Sequence, residues 1–355
     1  MTGSPTIGAG EQPEAASKPR RRVLVTGAAG FIGFHIARRL ARDGALVLGV
    51  DNLGGDGEEL ALKQARLGRL DAEPNVAFER LDLTRSETFE ARMAAFAPGE
   101  VIHLAAQAGV RRSIDRPASY VASNVAGTLT VLEACRRHPV DHLIYASSSS
   151  VYGTARPPFS EHDPADHPVS LYAATKRSAE LMAHAYAHLF GLPATGLRFF
   201  TVYGPWGRPD MAAFAFTRAI AEGRPIDVYN EGRMERDFTY IDDVVEAIAR
   251  LIDRPPTPNP AFDPLRPDPA SAAAPHRIYN IGNNAPVPLD RFICAIEAAV
   301  GAPATRRLLP MQPGDVPSTC ADIADLAAAI GFSPSISIEE GMRRFVAWYR
   351  DFYDA

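Results

Sequence analysis

The sequence predicts an α/β fold, a doubly wound parallel sheet carrying a smaller mixed α/β lobe. Three observations lead there. From Arg22 onward, short β-branched and aliphatic runs alternate with amphipathic stretches at helical spacing, the pattern of repeated βαβ units. A glycine-rich turn directly follows the first of these runs. The 355 residues also exceed the roughly 250–300 at which a single core stops growing, so two lobes are expected.

Six runs read as strands: Val23–Thr26, Leu46–Val50, Val76–Arg80, Glu100–Leu104, His142–Ala146 and Ala194–Phe199. The helical spacing predicts helices over Phe31–Asp43, Glu58–Leu70, Ser86–Phe96, Tyr120–Arg137 and Leu171–Phe190. Beyond Phe200 the regularity breaks at Pro205, Pro209 and Pro225. The Pro-rich stretch from Arg254 to Pro275 excludes regular helix and central strand and reads as a loop within one unit. Residues 1–21 read as a disordered leader without the apolar segment of a signal peptide. Residues 22–200 read as the sheet domain, with helix and strand returning from about 236–252 and 276–284, and residues 201–355 mainly as the substrate-binding lobe.

Composition is ordinary, with 46% hydrophobic and 22% charged residues, and a net charge of -5 offers no field that would draw nucleic acid. No apolar run reaches the ~18 residues of a membrane span, so neither nucleic acid nor membrane is an expected partner. Cys135, Cys294 and Cys320 are far apart and show no C-x-x-C spacing, which points away from zinc and toward a reducing compartment, the cytoplasm. His103, His138 and His142 are scattered and read as core or surface residues. No metal is expected.

Chemistry concentrates where predicted strands end. Gly27, Gly30 and Gly33 in Thr26-Gly-Ala-Ala-Gly-Phe31-Ile32-Gly33 would let the backbone turn, approach a pyrophosphate and pack helix on sheet, with the helix N-terminus favouring negative charge. The spacing is G-x-x-G-x-x-G, which also occurs in purely structural turns. Asp51, 18 positions after Gly33, ends the second strand where a carboxylate can accept bonds from a ribose diol, favouring NAD over NADP, although a simple turn residue would look the same. Tyr172 and Lys176 sit four apart on one helix face, where an ammonium can stabilise a phenolate; an isolated pair of this kind is often a surface contact. Ser147, Ser148, Ser149 and Ser150 follow the fifth strand and can bond a reacting hydroxyl or form a polar loop. Gly27, Asp51, Asp82, Ala105, Ser148 and Thr201 follow successive strands, and in an open parallel sheet those ends share one ligand-binding edge.

These segments, with His103-Leu104-Ala105-Ala106 and Tyr145–Gly153, resemble the extended short-chain dehydrogenase/reductases, the NAD-dependent epimerase/dehydratase family with a Rossmann-type sheet. Within it, Gln107–Arg111, Arg198–Met211 and Arg236–Asp243 are similar to UDP-glucuronate 4-epimerases, over a span from about Arg22 to the C-terminus. The resemblance implies reversible conversion of UDP-glucuronate to UDP-galacturonate through a transient 4-keto sugar. It implies that Tyr172 is the base, Lys176 tunes it, and Ser148 shares the proton network.

NAD contacts are implied at Gly27, Gly30, Phe31, Ile32, Gly33, Asp51, Asn52, Asp82, Leu83, Leu104, Ala105, Ala106, Asn124, Ser147, Tyr172, Lys176, Phe199 and Val202. Substrate contacts are implied at Gln107, Ser148, Ser149, Ser150, Thr201, Arg208, Arg236 and Asp315, with Thr201 and Arg208 at the uronate carboxylate. A homodimer is implied through the helices near Tyr120–Arg137 and Leu171–Phe190. Two departures touch substrate entry: the glycine-rich Leu53–Gly57 loop, and Arg112 at a commonly aromatic position. A related decarboxylase would carry glutamate at position 150, a 4,6-dehydratase an acidic pair at 149 and 150, and a UDP-galactose epimerase more often asparagine at 201. A non-catalytic NAD-binding protein is the alternative from another class.

Overall fold

The computed structural model describes residues 20–55, 57–312 and 314–354; most of the expected leader lies outside the described residues. Its strands are β1 (Arg22–Thr26), β2 (Leu46–Asp51), β3 (Val76–Arg80), β4 (Glu100–His103), β5 (His142–Ser148), β6 (Ala194–Phe199), β7 (Thr201–Tyr203), β8 (Ile226–Tyr229), β9 (Glu235–Tyr240), β10 (His276–Ile281), β11 (Pro286–Pro288) and β12 (Arg306–Leu309). Seven form one parallel sheet in the order β10-β6-β5-β4-β1-β2-β3. The chain steps outward from β1 through β2 to β3, then returns to β4 on the other side of β1. That reversal opens a crevice at the carboxyl ends of β1 and β4, where open α/β sheets bind ligands.

The hydrophobic pattern explains the layers. Val23, Leu24 and Val25 are fully buried, as a strand covered on both faces requires. Helix Phe31–Arg42 covers one face with Phe34, Ile36, Ala37 and Leu40, and helix Ile241–Leu251 packs beside it. A mixed sheet, β11-β9-β7, and a parallel pair, β12-β8, build the smaller lobe. The C-terminal helix Ile338–Tyr353 is fastened to that lobe by aromatic contacts of Phe345, Trp348 and Tyr349 with Phe214. The Pro-rich stretch contains no regular helix or strand.

Boundaries differ modestly from the sequence expectation, with one instructive exception. β5 runs two residues beyond Ala146, to Ser148, and β4 stops at His103, one short of Leu104. The expected helix Tyr120–Arg137 is instead a short turn at Pro117–Tyr120, a π-helical segment at Val121–Ala126 and an α-helix at Gly127–Arg137. The widened turn carries Asn124, whose Oδ1 accepts from the Gln107 backbone N–H at 2.8 Å and whose Nδ2 donates to the Gln107 carbonyl at 3.0 Å. Periodicity cannot register one inserted residue in a helical turn; the side-chain bonds that repay the lost α-helical spacing are long-range.

Candidate functional site

Backbone sterics build the cradle after β1. Gly27 has φ +72°, and a Cβ there would sit 2.7 Å from the Ala105 nitrogen. A Cβ on Gly33 would come within 2.1 Å of the Gly27 carbonyl oxygen, and one on Gly30 within 2.9 Å of the same atom. Only glycine therefore allows the turn, the neighbouring strand end and the first helical turn to meet so closely. The N–H groups of Gly27 and Ala28 both reach the Val50 carbonyl, at 2.8 and 3.2 Å, which ties the turn to β2.

At the end of β2, Asp51 is 6% exposed, and its Oδ1 accepts from the Leu53 N–H at 2.8 Å and from Lys63 Nζ at 3.0 Å. Its Oδ2 takes no part in either bond. Asp82 is held below the ordinary carboxyl range: burial pushes it up, but bonds from the Thr84 N–H and hydroxyl and from Asn52 outweigh burial. The loop after β4 is pinned by Leu104 N–H to the Thr26 carbonyl and Ala105 N–H to the Thr26 hydroxyl.

The candidate reactive groups come from β5 and the helix Leu171–Phe190, whose N-terminus is capped by Ser170 accepting from the Ala173 N–H at 3.1 Å. Burial raises the Tyr172 phenol above its ordinary value, opposed by the neighbouring Ser148 hydroxyl and by the charge of Arg208. Lys176 is 5% exposed and donates to the Ala146 carbonyl at 3.0 Å. Burial pushes it down to about 8, with Glu180 working to raise it.

One cleft of about 690 Å³ gathers these groups. Its walls include Gly27, Gly30, Phe31, Ile32, Gly33, Asp51, Asn52, Asp82, Leu83, Leu104, Ala105, Ala106, Ser147, Tyr172, Lys176, Phe199 and Val202. Gln107, Ser148, Ser149, Ser150, Thr201 and Arg208 line the same space. Arg208 is held by Asp210, with Nε to Oδ1 at 3.0 Å and Nη2 to Oδ2 at 2.6 Å, and Nη2 also reaches the Ala108 carbonyl at 3.4 Å.

Three expected site residues stand apart from those walls. Asn124 is committed to Gln107 and to Thr175, 3.0 Å away, so it holds the loop instead of facing the cleft. Arg236 donates through Nη1 to the carbonyls of Glu235 and Pro317, and Asp315 pairs with Arg111 at 3.2 Å. Both belong to the smaller lobe. His103 is a core residue bonded to the Thr26 and Thr128 hydroxyls at 2.7 and 3.1 Å, and burial takes its imidazole down to about 3.

The cleft also has walls that sequence reasoning missed. Arg66 donates to the Ala29 and Trp206 carbonyls at 2.9 and 2.7 Å, and so ties the glycine turn to the smaller lobe. Glu59 and Arg112 form an ion pair at 2.7 Å, which gives Arg112 a partner its departure from the pattern left unexplained. Tyr120 packs edge-on to Tyr172, with ring centres 6.1 Å apart. None of these belongs to a short motif; only the one-face spacing of Glu59, Lys63 and Arg66 on helix Gly57–Leu70 offered a signal.

Comparison with known proteins agrees with this geometry. The model of the NAD dependent epimerase/dehydratase family matches residues 23–282. The chain belongs to this family. It is 49% identical over 334 residues to a probable UDP-glucuronate 4-epimerase of Rhizobium meliloti, covering 94% of this chain and 98% of that protein. It is 43% identical to UDP-glucuronate 4-epimerase 1 of Arabidopsis thaliana, over 93% of this chain and 77% of the relative. Among solved structures of the epimerase/dehydratase type, the UDP-glucuronic acid 4-epimerase of Bacillus cereus, in complex with UDP-glucuronic acid and NAD, superposes with a TM-score of 0.83. It is 31% identical and covers 94% of this chain and 100% of that one. Among the described residues no helix is long and apolar enough to cross a membrane.

Proposed function

We propose that the chain interconverts UDP-glucuronate and UDP-galacturonate, inverting C4 through a transient 4-keto sugar while NAD stays bound. One observation carries this reading: a single cleft holds the glycine cradle, the Tyr172–Ser148 pair, Lys176 and Arg208. Relatives bearing that activity in their names, and a solved relative holding UDP-glucuronic acid with NAD, support the substrate.

The residues fit the cofactor. The cradle closes sterically to any side chain, as a backbone that must approach a pyrophosphate requires, and Asp51 keeps one carboxylate oxygen outside its bonds to Leu53 and Lys63 for a ribose diol. NAD held in this cradle would supply a reversible hydride acceptor for C4. Tyr172 takes the proton of the 4-hydroxyl, and Ser148 shares that hydroxyl's bonds. Lys176, held at about 8, keeps its proton at neutral pH and contributes positive charge beside the phenolate. Arg208 meets the uronate carboxylate, with Thr201, Ser149 and Ser150 as further donors. Because Asp210 holds Nε and Nη2, the guanidinium plane is fixed before substrate arrives and Nη1 remains to bind it. That matters chemically, since a 4-keto uronate is a β-keto acid that loses carbon dioxide when its carboxylate is turned perpendicular to the ketone.

We assign the substrate pyrophosphate to Arg236 and a nucleotide ribose contact to Asp315, and the cofactor domain to residues 22–200 together with helix Ile241–Leu251 and β10. The smaller sheets form the UDP-sugar lobe. A homodimer is supported by exposed Val121, Leu129, Leu181 and Leu189 on neighbouring helical segments. Sedimentation at twice the chain mass is expected, and loss of the dimer in Leu181→Lys would place the interface there. Unpaired Cys135, Cys294 and Cys320 suit a reducing cytoplasm.

Proton NMR of the protein with UDP-glucuronate and no added reductant tests the activity. Growth of UDP-galacturonate to an equilibrium mixture is expected. UDP-xylose with carbon dioxide would move the chain to the decarboxylases, and an unchanged spectrum would reject the uronate substrate.

A further inference from the structure

Directly behind the reacting groups lies a buried carboxylate that the proposed mechanism does not use. Glu180 follows Lys176 by one helical turn, and its side chain is 1% exposed. It accepts from the Ser147 hydroxyl at 2.5 Å and from Arg198 by both oxygens, Nε at 2.9 Å and Nη2 at 3.0 Å. Arg177 adds a third partner at 2.9 Å. Ser147 is the residue between Ala146, whose carbonyl receives Lys176, and Ser148, whose hydroxyl meets Tyr172. The carboxylate thus fastens the end of β5 to the helix at the point where both present their reactive atoms.

Resting on the reading that Tyr172 and Lys176 carry the reaction, we propose that Glu180 is a positioning residue, joining the Ser147–Ser148 strand end to the catalytic helix and supplying the counter-charge for the Lys176 ammonium. The electrostatics agree with the geometry. Burial would push the Glu180 carboxyl up, but Arg198, Ser147 and Arg177 outweigh it and hold it ionised, below the ordinary range. For Lys176, burial lowers the ammonium and Glu180 is the charge that raises it. A buried lysine beside a cationic nicotinamide needs such a partner.

The groups facing this pair are few. Tyr145 on β5 is pushed well up by burial, and His103 on β4 and His276 on β10 are pushed down to about 3 by burial. Burial would lower Arg198 on β6, but Glu180 outweighs it and raises it; Arg177 on the helix itself donates to Glu180 at 2.9 Å, and burial lowers His184. Tyr145 and Tyr172 are raised above the ordinary phenol value and the histidines lie below neutrality, so the first alkaline step of the kcat profile is assigned to Lys176, at about 8.

Glu180→Gln keeps the side chain's shape and removes its charge. Its alkaline limb is expected to move to lower pH, with kcat at about pH 8.5 falling on the order of tenfold while KM for UDP-glucuronate changes little. That variant strands Arg198, so Glu180→Gln/Arg198→Met removes both charges, which buried pairs often tolerate. The double variant should melt near the wild type, with its limb lying back toward the wild type because the lost Arg198 cation offsets the lost carboxylate. A wild-type limb in the folded Glu180→Gln variant would overturn the counter-charge role. Ser147→Ala, which retains both charges, should lower kcat without moving the limb; unchanged kcat would equally overturn the anchoring role. Full activity in Tyr172→Phe would instead defeat the underlying assignment of the base, separately from Glu180.

Discussion

At the residue scale, Tyr172 shows why the environment of a side chain decides what it can do. Its phenol is raised by burial, opposed by the Ser148 hydroxyl and the Arg208 charge, and the base role proposed for it depends on those two neighbours. Removing the hydroxyl as Tyr172→Phe should lower kcat roughly 10²- to 10⁴-fold, with bound NAD and melting temperature unchanged. A matching loss of bound NAD would make the residue a cofactor contact instead. The sequence made Tyr172, Lys176 and the glycines legible because their spacing is local. For Lys63 and Arg66 the sequence offered only a shared helix face, not their long-range partners at Asp51 and at the Ala29 and Trp206 carbonyls, and Asp210 acts within an irregular loop that no spacing encodes. Asn124 illustrates the converse: a position inferred by resemblance turns out to serve the loop at Gln107.

At the scale of elements, the Pro-rich stretch from Arg254 to Pro275 is held in place by polar contacts. His162 lies between Asp268 of that stretch and Asp325 of helix Ala324–Ile330, with Nδ1 and Nε2 at 2.8 and 3.1 Å from their carboxylates. Burial alone would lower the imidazole, but the two aspartates dominate and raise it above its ordinary value near ~6.5. A group whose folded value is raised stabilises the fold fully below its unfolded value and loses that contribution as pH climbs through the folded one. The melting-temperature gap between wild type and His162→Gln should therefore be widest near pH 6 and close on the alkaline side. A gap independent of pH would show that the imidazole acts by shape alone. The imidazole is half exposed, so the effect is small. Nothing in the sequence pointed to this clamp, whereas helical spacing placed the helix Leu171–Phe190 to the residue, and the structure shows Ser170 capping its start and left-handed Gly191 ending it.

For the whole molecule, the alternation of strands and helices was enough to read the parallel sheet, because buried strands must be apolar throughout. The addition of β10 beside β6, after the chain has left to build the smaller lobe, brings a second segment back to the sheet. That crossing of lobes is why the Pro-rich stretch reads as a loop and not a linker. The mixed small sheets were harder to read, since strands of three or four residues such as β7 and β11 have too few positions to show alternation. Their consequence is functional: Thr201 and Arg208 reach the cleft from the lobe side while the glycine cradle holds the sheet side.

In the proposed reaction a hydride leaves C4 and returns to the same carbon within one turnover. Incubating the protein with UDP-glucuronate deuterated at C4, and reading the product by mass spectrometry and proton NMR, tests this most directly. UDP-galacturonate that retains deuterium at C4, with no hydrogen taken up there from the solvent, is expected. Loss of deuterium to water would mean that the carbon is deprotonated instead, and would contradict the proposed reaction.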